Sequence, residues 1–104
     1  MNKKEFLDHL ATTFSTALEI ATKKNSDYSG ENENPFKNFL MSEQVGVDPA
    51  RAILVRISDK LSRISNLLDK DAQVIDERIE DTILDLVNYS AILKAYLYAK
   101  RNNQ

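Results

Sequence analysis

Asp76-Glu77-Arg78-Ile79-Glu80-Asp81-Thr82-Ile83-Leu84-Asp85-Leu86-Val87-Asn88-Tyr89 begins the segment whose reading decides the fold. At 3.6 residues per turn, this stretch and its continuation to Lys100 place Ile79, Ile83, Leu86, Ser90, Leu93 and Leu97 on one face. Leu84, Val87, Ala91 and Ala95 widen that face around much of the circumference. A helix apolar over so wide an arc must be covered on more than one side, so the spacing predicts a central helix from an Asp76 N-cap to about Lys100. The same segment carries Glu77, Asp81 and Asp85 at intervals of four, then Asn88 three residues on, all along one narrow stripe. Like charges at that spacing repel by roughly 0.2–0.5 kcal/mol per pair. Two readings stand: a solvated acidic face, or a cation site built from oxygen ligands. Leu84, Ile92 and Ala95 border the stripe rather than lysines, which favours the cation site. Glu80, about 100° around the helix from Asp81, is a supporting group or a carboxylate favoured by the helix dipole.

Working outward, Asp48-Pro49 reads as an N-cap followed by proline at the first helical position. The helix it starts runs to about Leu68, with Ile53, Ile57, Leu61, Ile64 and Leu68 as its apolar stripe. Arg56, Asp59, Lys60 and Arg63 form a polar stripe, and Asp69-Lys70-Asp71 breaks the pattern. Another helix is predicted from about Lys3 to Lys24, on Phe6, Leu10, Phe14, Ala17 and Ala21 with Leu7 and Leu18 widening the face. His9 falls off that stripe and reads as a surface histidine. Between them, Asn25 to Pro35 is dense in turn formers and reads as a loop. It leads into a short helix over Phe36–Met41. A loop of about a dozen residues exceeds what a helix connection needs, so it is either a binding loop or a solvated connector with Phe36 and Phe39 pinned to the core.

The expected fold is all-α: a small bundle of three long helices plus a short helix after a long loop. It forms one domain over 1–100, with a frayed tail at 101–104. The chain has 104 residues, of which 42% are hydrophobic and 29% charged, as in ordinary globular domains. Only two glycines and two prolines interrupt it, none beyond Pro49, which suits long helices. The core is thin for so small a domain, so oligomerisation would help it. A net charge of −2 argues against direct nucleic-acid binding. The absence of cysteine excludes disulfides, thiolate metal sites and a cysteine nucleophile. With one histidine, a metal site must rest on oxygen ligands, which suits Mg²⁺, Mn²⁺ or Ca²⁺. No apolar run approaches about 18 residues, and Met1-Asn2-Lys3-Lys4-Glu5 lacks a signal-peptide core, so a cytoplasmic protein without membrane partners is expected. Neither a Gly-rich phosphate loop nor a calcium-loop pattern occurs.

The polar stripe of the second long helix has a bland reading as surface ion pairs worth little. If that helix packs antiparallel to the acidic one, Asp59 adds a carboxylate from across the bundle, and Lys60 and Arg63 meet phosphate oxygens. Carboxylates for Mg²⁺ and cations for phosphate together suit a nucleoside triphosphate.

The string Val55 to Ile64, with Asp59-Lys60 at its centre, followed by Glu77 to Tyr89 with its Glu80-Asp81-x-x-x-Asp85-Leu86 core, resembles the nucleotide-modification-associated helical domain of phages and bacteria. Lys24-Asn25-Ser26-Asp27-Tyr28 and Asn38-Phe39 fit the same pattern, so the resemblance covers about Lys24 to Leu97. That domain is grouped with the MazG-like all-α nucleoside triphosphate pyrophosphohydrolases. The resemblance implies a homodimer or homotetramer that hydrolyses a (d)NTP to the monophosphate and pyrophosphate with Mg²⁺ or Mn²⁺, in nucleotide-pool control. Carried over by position, it implies Asp59, Glu77, Asp81 and Asp85 as metal ligands, Asp59 and Asp85 among them as catalytic. Lys60 and Arg63 would hold phosphate, and Tyr28, Asn38 and Asn88 the nucleoside. Those enzymes bring two glutamates on the first ligand helix. Here Arg56 precedes Asp59 by three and Ser62 follows it by three, so one acid stands where two are usual. An alternative is therefore a catalytically silent module on the same fold, binding a nucleotide or a protein target.

Overall fold

Four α-helices, α1 (Lys3–Ser29), α2 (Lys37–Leu40), α3 (Pro49–Leu68) and α4 (Asp76–Arg101), and a 3₁₀ segment over Met41–Val45 make up the computed structural model. It describes residues 1–29, 34–69 and 76–103, the backbone alone at 28, 29 and 76–78. No strand occurs among the described residues, so the chain is an all-α bundle.

Local chemistry sets the helix starts. Asn2 and Glu5 form a reciprocal cap on α1: Asn2 Oδ1 accepts from the Glu5 N–H at 2.8 Å, and Asn2 Nδ2 donates to Glu5 Oε1 at 3.0 Å. Asp48 caps α3 as its sequence predicts, accepting from the Arg51 N–H at 2.9 Å and pairing with the Arg51 guanidinium at 2.6 Å. Those bonds hold the Asp48 carboxyl below the usual carboxylate range. The 3₁₀ segment ends at Gly46, whose φ of +80° is the left-handed conformation that glycine adopts without a Cβ clash.

Helix α1 runs five residues past the expected end, so Asn25–Ser29 is helix and not loop. Two long-range contacts hold its last turns. Asn25 Nδ2 donates to the Pro35 carbonyl at 2.9 Å, and Lys24 Nζ meets Asp85 at 3.0 Å. Helix propensities of Asn, Ser and Asp differ from that of alanine by under about 0.7 kcal/mol each, which such contacts override. The remainder of the expected loop, 30–33, and Lys70-Asp71 lie outside the described residues. At the other end, Arg101 belongs to α4 rather than to the tail, and Asn103 takes the left-handed conformation (φ 55°) that follows a helix C-terminus.

Helix α4 is the central element. It packs most extensively on α3 and also on α1, and residues 84–89 are all half-buried, whichever way they point. Helices α3 and α4 run antiparallel: Lys60 pairs with Asp85, while Pro49 shares a shallow groove with Tyr96 and Lys100. Phe39 is buried and Phe36 half-buried, with edge-on ring contacts to Tyr89 and Tyr96 respectively, so the segment after the loop is pinned to α4.

The core is small. Ala17, Phe39, Ile53, Leu67 and Ile79 are its buried apolar residues. Two expected stripes turn inward only in part: Ile53, Ile57 and Ile64 on α3, and Leu10, Ala17 and Ala21 on α1. On α3, Leu67 enters the core while Leu61 and Leu68 are exposed with Leu54. On α1, the buried or half-buried face is Leu10, Thr13, Thr16, Ala17, Ile20 and Ala21, and Phe6, Leu7, Phe14 and Leu18 remain outside. No helix among the described residues is long and apolar enough to cross a membrane.

Candidate functional site

Asp85 stands near the middle of α4, with its side chain only 21% exposed. Lys24 of α1 meets its Oδ1 at 3.0 Å and Lys60 of α3 meets its Oδ2 at 3.0 Å. Burial pushes the Asp85 carboxyl up, but hydrogen bonds and charge from the two ammonium groups outweigh it and hold the carboxyl below its usual range. The carboxylate that the sequence leaves bordered by apolar residues is thus neutralised by two lysines from neighbouring helices. Its counter-charge among the described residues is organic.

Asp85 also lies on the wall of a cavity of about 240 Å³, between the C-terminal part of α1, the Pro35–Phe39 segment and α4. Ala21, Pro35, Phe36, Phe39, Tyr89, Ile92 and Ala95 make it largely apolar, and Lys24, Asn25, Asn38, Asp85 and Asn88 supply its polar groups. Below the roughly 300–1,000 Å³ of pockets for drug-sized ligands, this space suits one flat ring system against aromatic walls. Asn88 is fixed by donating Nδ2 to the Ala17 carbonyl at 2.9 Å, which ties α4 to α1 at the cavity.

The structure gathers part of the expected set. Asp85, Asn38 and Asn88 line the cavity, and Lys60 reaches Asp85 from α3. Asp59 and Arg63 are exposed and do not line it. Where Asp59 was expected to cross the bundle, Lys60 crosses, because one residue is a rotation of about 100° on a helix. Asp81 is exposed one turn before Asp85. The side chains of Glu77 and Tyr28 lie outside the described residues. No group of three acidic or histidine side chains gathers as a metal cluster among the described residues. Sequence reading missed Lys24, Asn25, Phe36 and Tyr89 as cavity residues. Lys24 and Asn25 stood in the quoted motif, but nothing local announces that Lys24 meets a carboxylate 61 residues away.

A protein-family profile described as "Nucleotide modification associated domain 1" matches residues 49–94. The match spans all of α3 and α4 as far as Lys94, and so contains Lys60, Asp85 and Asn88 but not the α1 and Phe36–Phe39 sides of the cavity. No curated protein and no solved structure matches the chain.

Proposed function

We propose that this chain binds a nucleoside triphosphate and hydrolyses it to the monophosphate and pyrophosphate, as in the MazG-like superfamily. The carrying observation is an aromatic-walled cavity whose polar edge is a carboxylate held between two lysines. The base enters the cavity between Phe36 and Tyr89, with Asn38 and Asn88 at its edge. Lys24 and Lys60 turn from Asp85 to phosphate oxygens, each as a point charge. Arg63 joins them from the exposed side of α3.

The donor set suits Mg²⁺, which typically takes one or two carboxylates and completes its shell with phosphate and water. Asp85 and Asp81, one turn apart, would hold it, with Glu77 one turn earlier on α4 as a further carboxylate. When bound, the ion supplies neutralisation of phosphate charge and acidification of a water. Release of Asp85 from its lysines frees the carboxylate for this role as the lysines take phosphate.

The test is pyrophosphate release from a panel of dNTPs and NTPs with Mg²⁺ or Mn²⁺. No release from any of them at high protein concentration sinks the hydrolase reading. A second reading, nucleotide binding without turnover, is favoured by one observation: Asp59, the acid expected on the facing helix, is exposed and away from the cavity. It predicts a nucleotide-induced rise in melting temperature with no pyrophosphate.

In this reading the scaffold self-associates. A folded monomer of 11.9 kDa exposes roughly 6,000 Å² and has a radius of gyration of roughly 13 Å. This chain exposes 8055 Å² and has a radius of gyration of 15.8 Å. The excess of about 2,000 Å² is of the order that a chain buries in an obligate interface. Exposed Leu54, Leu61 and Leu68 recur at the heptad interval along α3, a pattern that packs helix on helix. Light scattering should give a mass of two or four chains, and Leu54→Glu with Leu61→Glu should reduce it to one while circular dichroism stays helical. A monomeric wild type overturns the self-association.

A further inference from the structure

The cavity runs along α4, and its two ends differ. Asp85, Asn88, Ile92 and Ala95 line it at intervals of three, four and three, so one face of the helix forms its floor. From Asp85 to Ala95 that floor is about 15 Å long. Lys24 and Lys60 hold the carboxylate at the first end. The Ala95 end is apolar: Phe36, also on the cavity wall, stands edge-on to Tyr96 with 5.5 Å between ring centroids. Ala21, Lys24 and Asn25 bring one face of α1 to the cavity by the same three- and four-residue rhythm. Ala21 and Ala95 are the smallest side chains on these walls, and what they leave empty sets the width of the space.

From this shape we infer that the cavity takes a purine nucleotide in preference to a pyrimidine one, with Ala21 and Ala95 as the residues that set the choice. The inference rests on the nucleotide reading above and adds the class of base. An apolar cavity of about 150 Å³ takes up one benzene. By proportion, a cavity of about 240 Å³ accommodates roughly nine or ten ring atoms. That is a two-ring base, and a single ring leaves apolar wall without contacts. The sugar and phosphates lie at the polar edge that Asp85 and the lysines form, which leaves the apolar space toward Ile92, Ala95 and Phe36 to the base. There the second ring of a purine removes further apolar area from water. Any side chain larger than alanine at position 21 or 95 occupies the room that this ring needs.

The test is calorimetric titration of the full chain, with Mg²⁺, by dAMP, dGMP, dCMP and dTMP, so that each ring class is represented by two different sets of exocyclic groups. Both purine nucleotides should bind at least about tenfold more tightly than both pyrimidine ones. A purine has more surface to bury in any apolar site, so the deciding readout is Ala95→Leu, at an exposed position of α4. It should weaken dAMP and dGMP by about tenfold or more and leave dCMP and dTMP within about threefold of wild type. Ala21→Val, on the α1 wall, should shift the ratio in the same direction. Pyrimidine nucleotides that bind wild type as tightly as the purine ones overturn the inference and leave nucleotide binding standing. A purine preference that survives both substitutions, or an equal loss for both ring classes in both variants, also overturns it, since the alanines would then not gauge the base. If none of the four nucleotides binds, the nucleotide reading itself falls, and this inference with it.

Discussion

Replacing Ile53 with alanine should cost about 2–5 kcal/mol of stability, among the largest losses available to any single residue of this chain. Ile53 is 0% exposed, the one large side chain fully buried among the described residues. It lies in the first half of α3, on the face that α4 covers, and its removal leaves a void in a core with few other members to relax into it. Large-to-small changes lose the transfer free energy of the deleted carbons and add a cavity term. A domain of this size has roughly 5–15 kcal/mol in total, so the variant loses a substantial share. At about 4–8 °C per kcal/mol, its melting temperature should fall by at least about 10 °C. Val55→Ala, two residues on and exposed, should stay within about 0.5 kcal/mol of wild type. Chemical denaturation of both variants measures the contrast. A loss below about 1 kcal/mol for Ile53→Ala would mean that α3 is not seated as described.

The extremes of this fold were legible wherever the signal is local. Asp48-Pro49 sets the start of α3 because a capping carboxylate and a proline act on their own turn. The width of the apolar arc on α4 identified it as central, because coverage on two sides needs a wide arc. Misreadings arose where two apolar stripes share one helix. On α3, Leu54, Leu61 and Leu68 keep the same kind of spacing as the buried Ile53 and the half-buried Ile57 and Ile64, and periodicity does not say which stripe meets α4. On α1, the small residues Thr13, Ala17 and Ala21 lie toward the bundle, where a close approach favours them over the larger Phe14 and Leu18.

The candidate site divides in the same way. Asp85 and Asn88 were legible from α4 alone, since three residues apart they share a face that turns to the cavity. The groups that decide their chemistry come from elsewhere in the chain. Lys24 and Lys60 reach Asp85 only once α1 and α3 have both packed on α4, and Asn88 is oriented by a carbonyl of α1. A carboxylate with apolar neighbours in sequence does call for a cation. Sequence spacing does not distinguish a divalent ion from an ammonium carried in by another helix, and here two ammonium groups arrive.

Asp85→Asn separates a structural ion pair from a nucleotide site. The substitution keeps the shape and removes the charge that holds two ammonium groups at 3.0 Å, leaving them to repel each other. A stability loss of roughly 1–2 kcal/mol at neutral pH should follow. Its pH dependence has a defined sign. The folded-state carboxyl is held below its usual range, so its contribution is fully present above the ordinary carboxylate pKa of about 4 and is lost as pH falls through the lowered folded value. Wild type and variant should therefore differ most above about pH 5 and converge in stronger acid. A purely structural pair predicts that much and nothing more. In the proposed site the carboxylate also competes with phosphate for Lys24 and Lys60, so without divalent metal the variant should bind a nucleoside triphosphate more tightly than wild type. With Mg²⁺ it should lose the metal-dependent gain in melting temperature and at least about a hundredfold in pyrophosphate release. Tighter metal-free binding together with lost turnover has no counterpart in a mere loss of stability. If Asp85→Asn instead leaves nucleotide affinity, the Mg²⁺ response and turnover as they are in wild type, the lysine-bracketed carboxylate serves the bundle alone, and the reactive centre lies elsewhere.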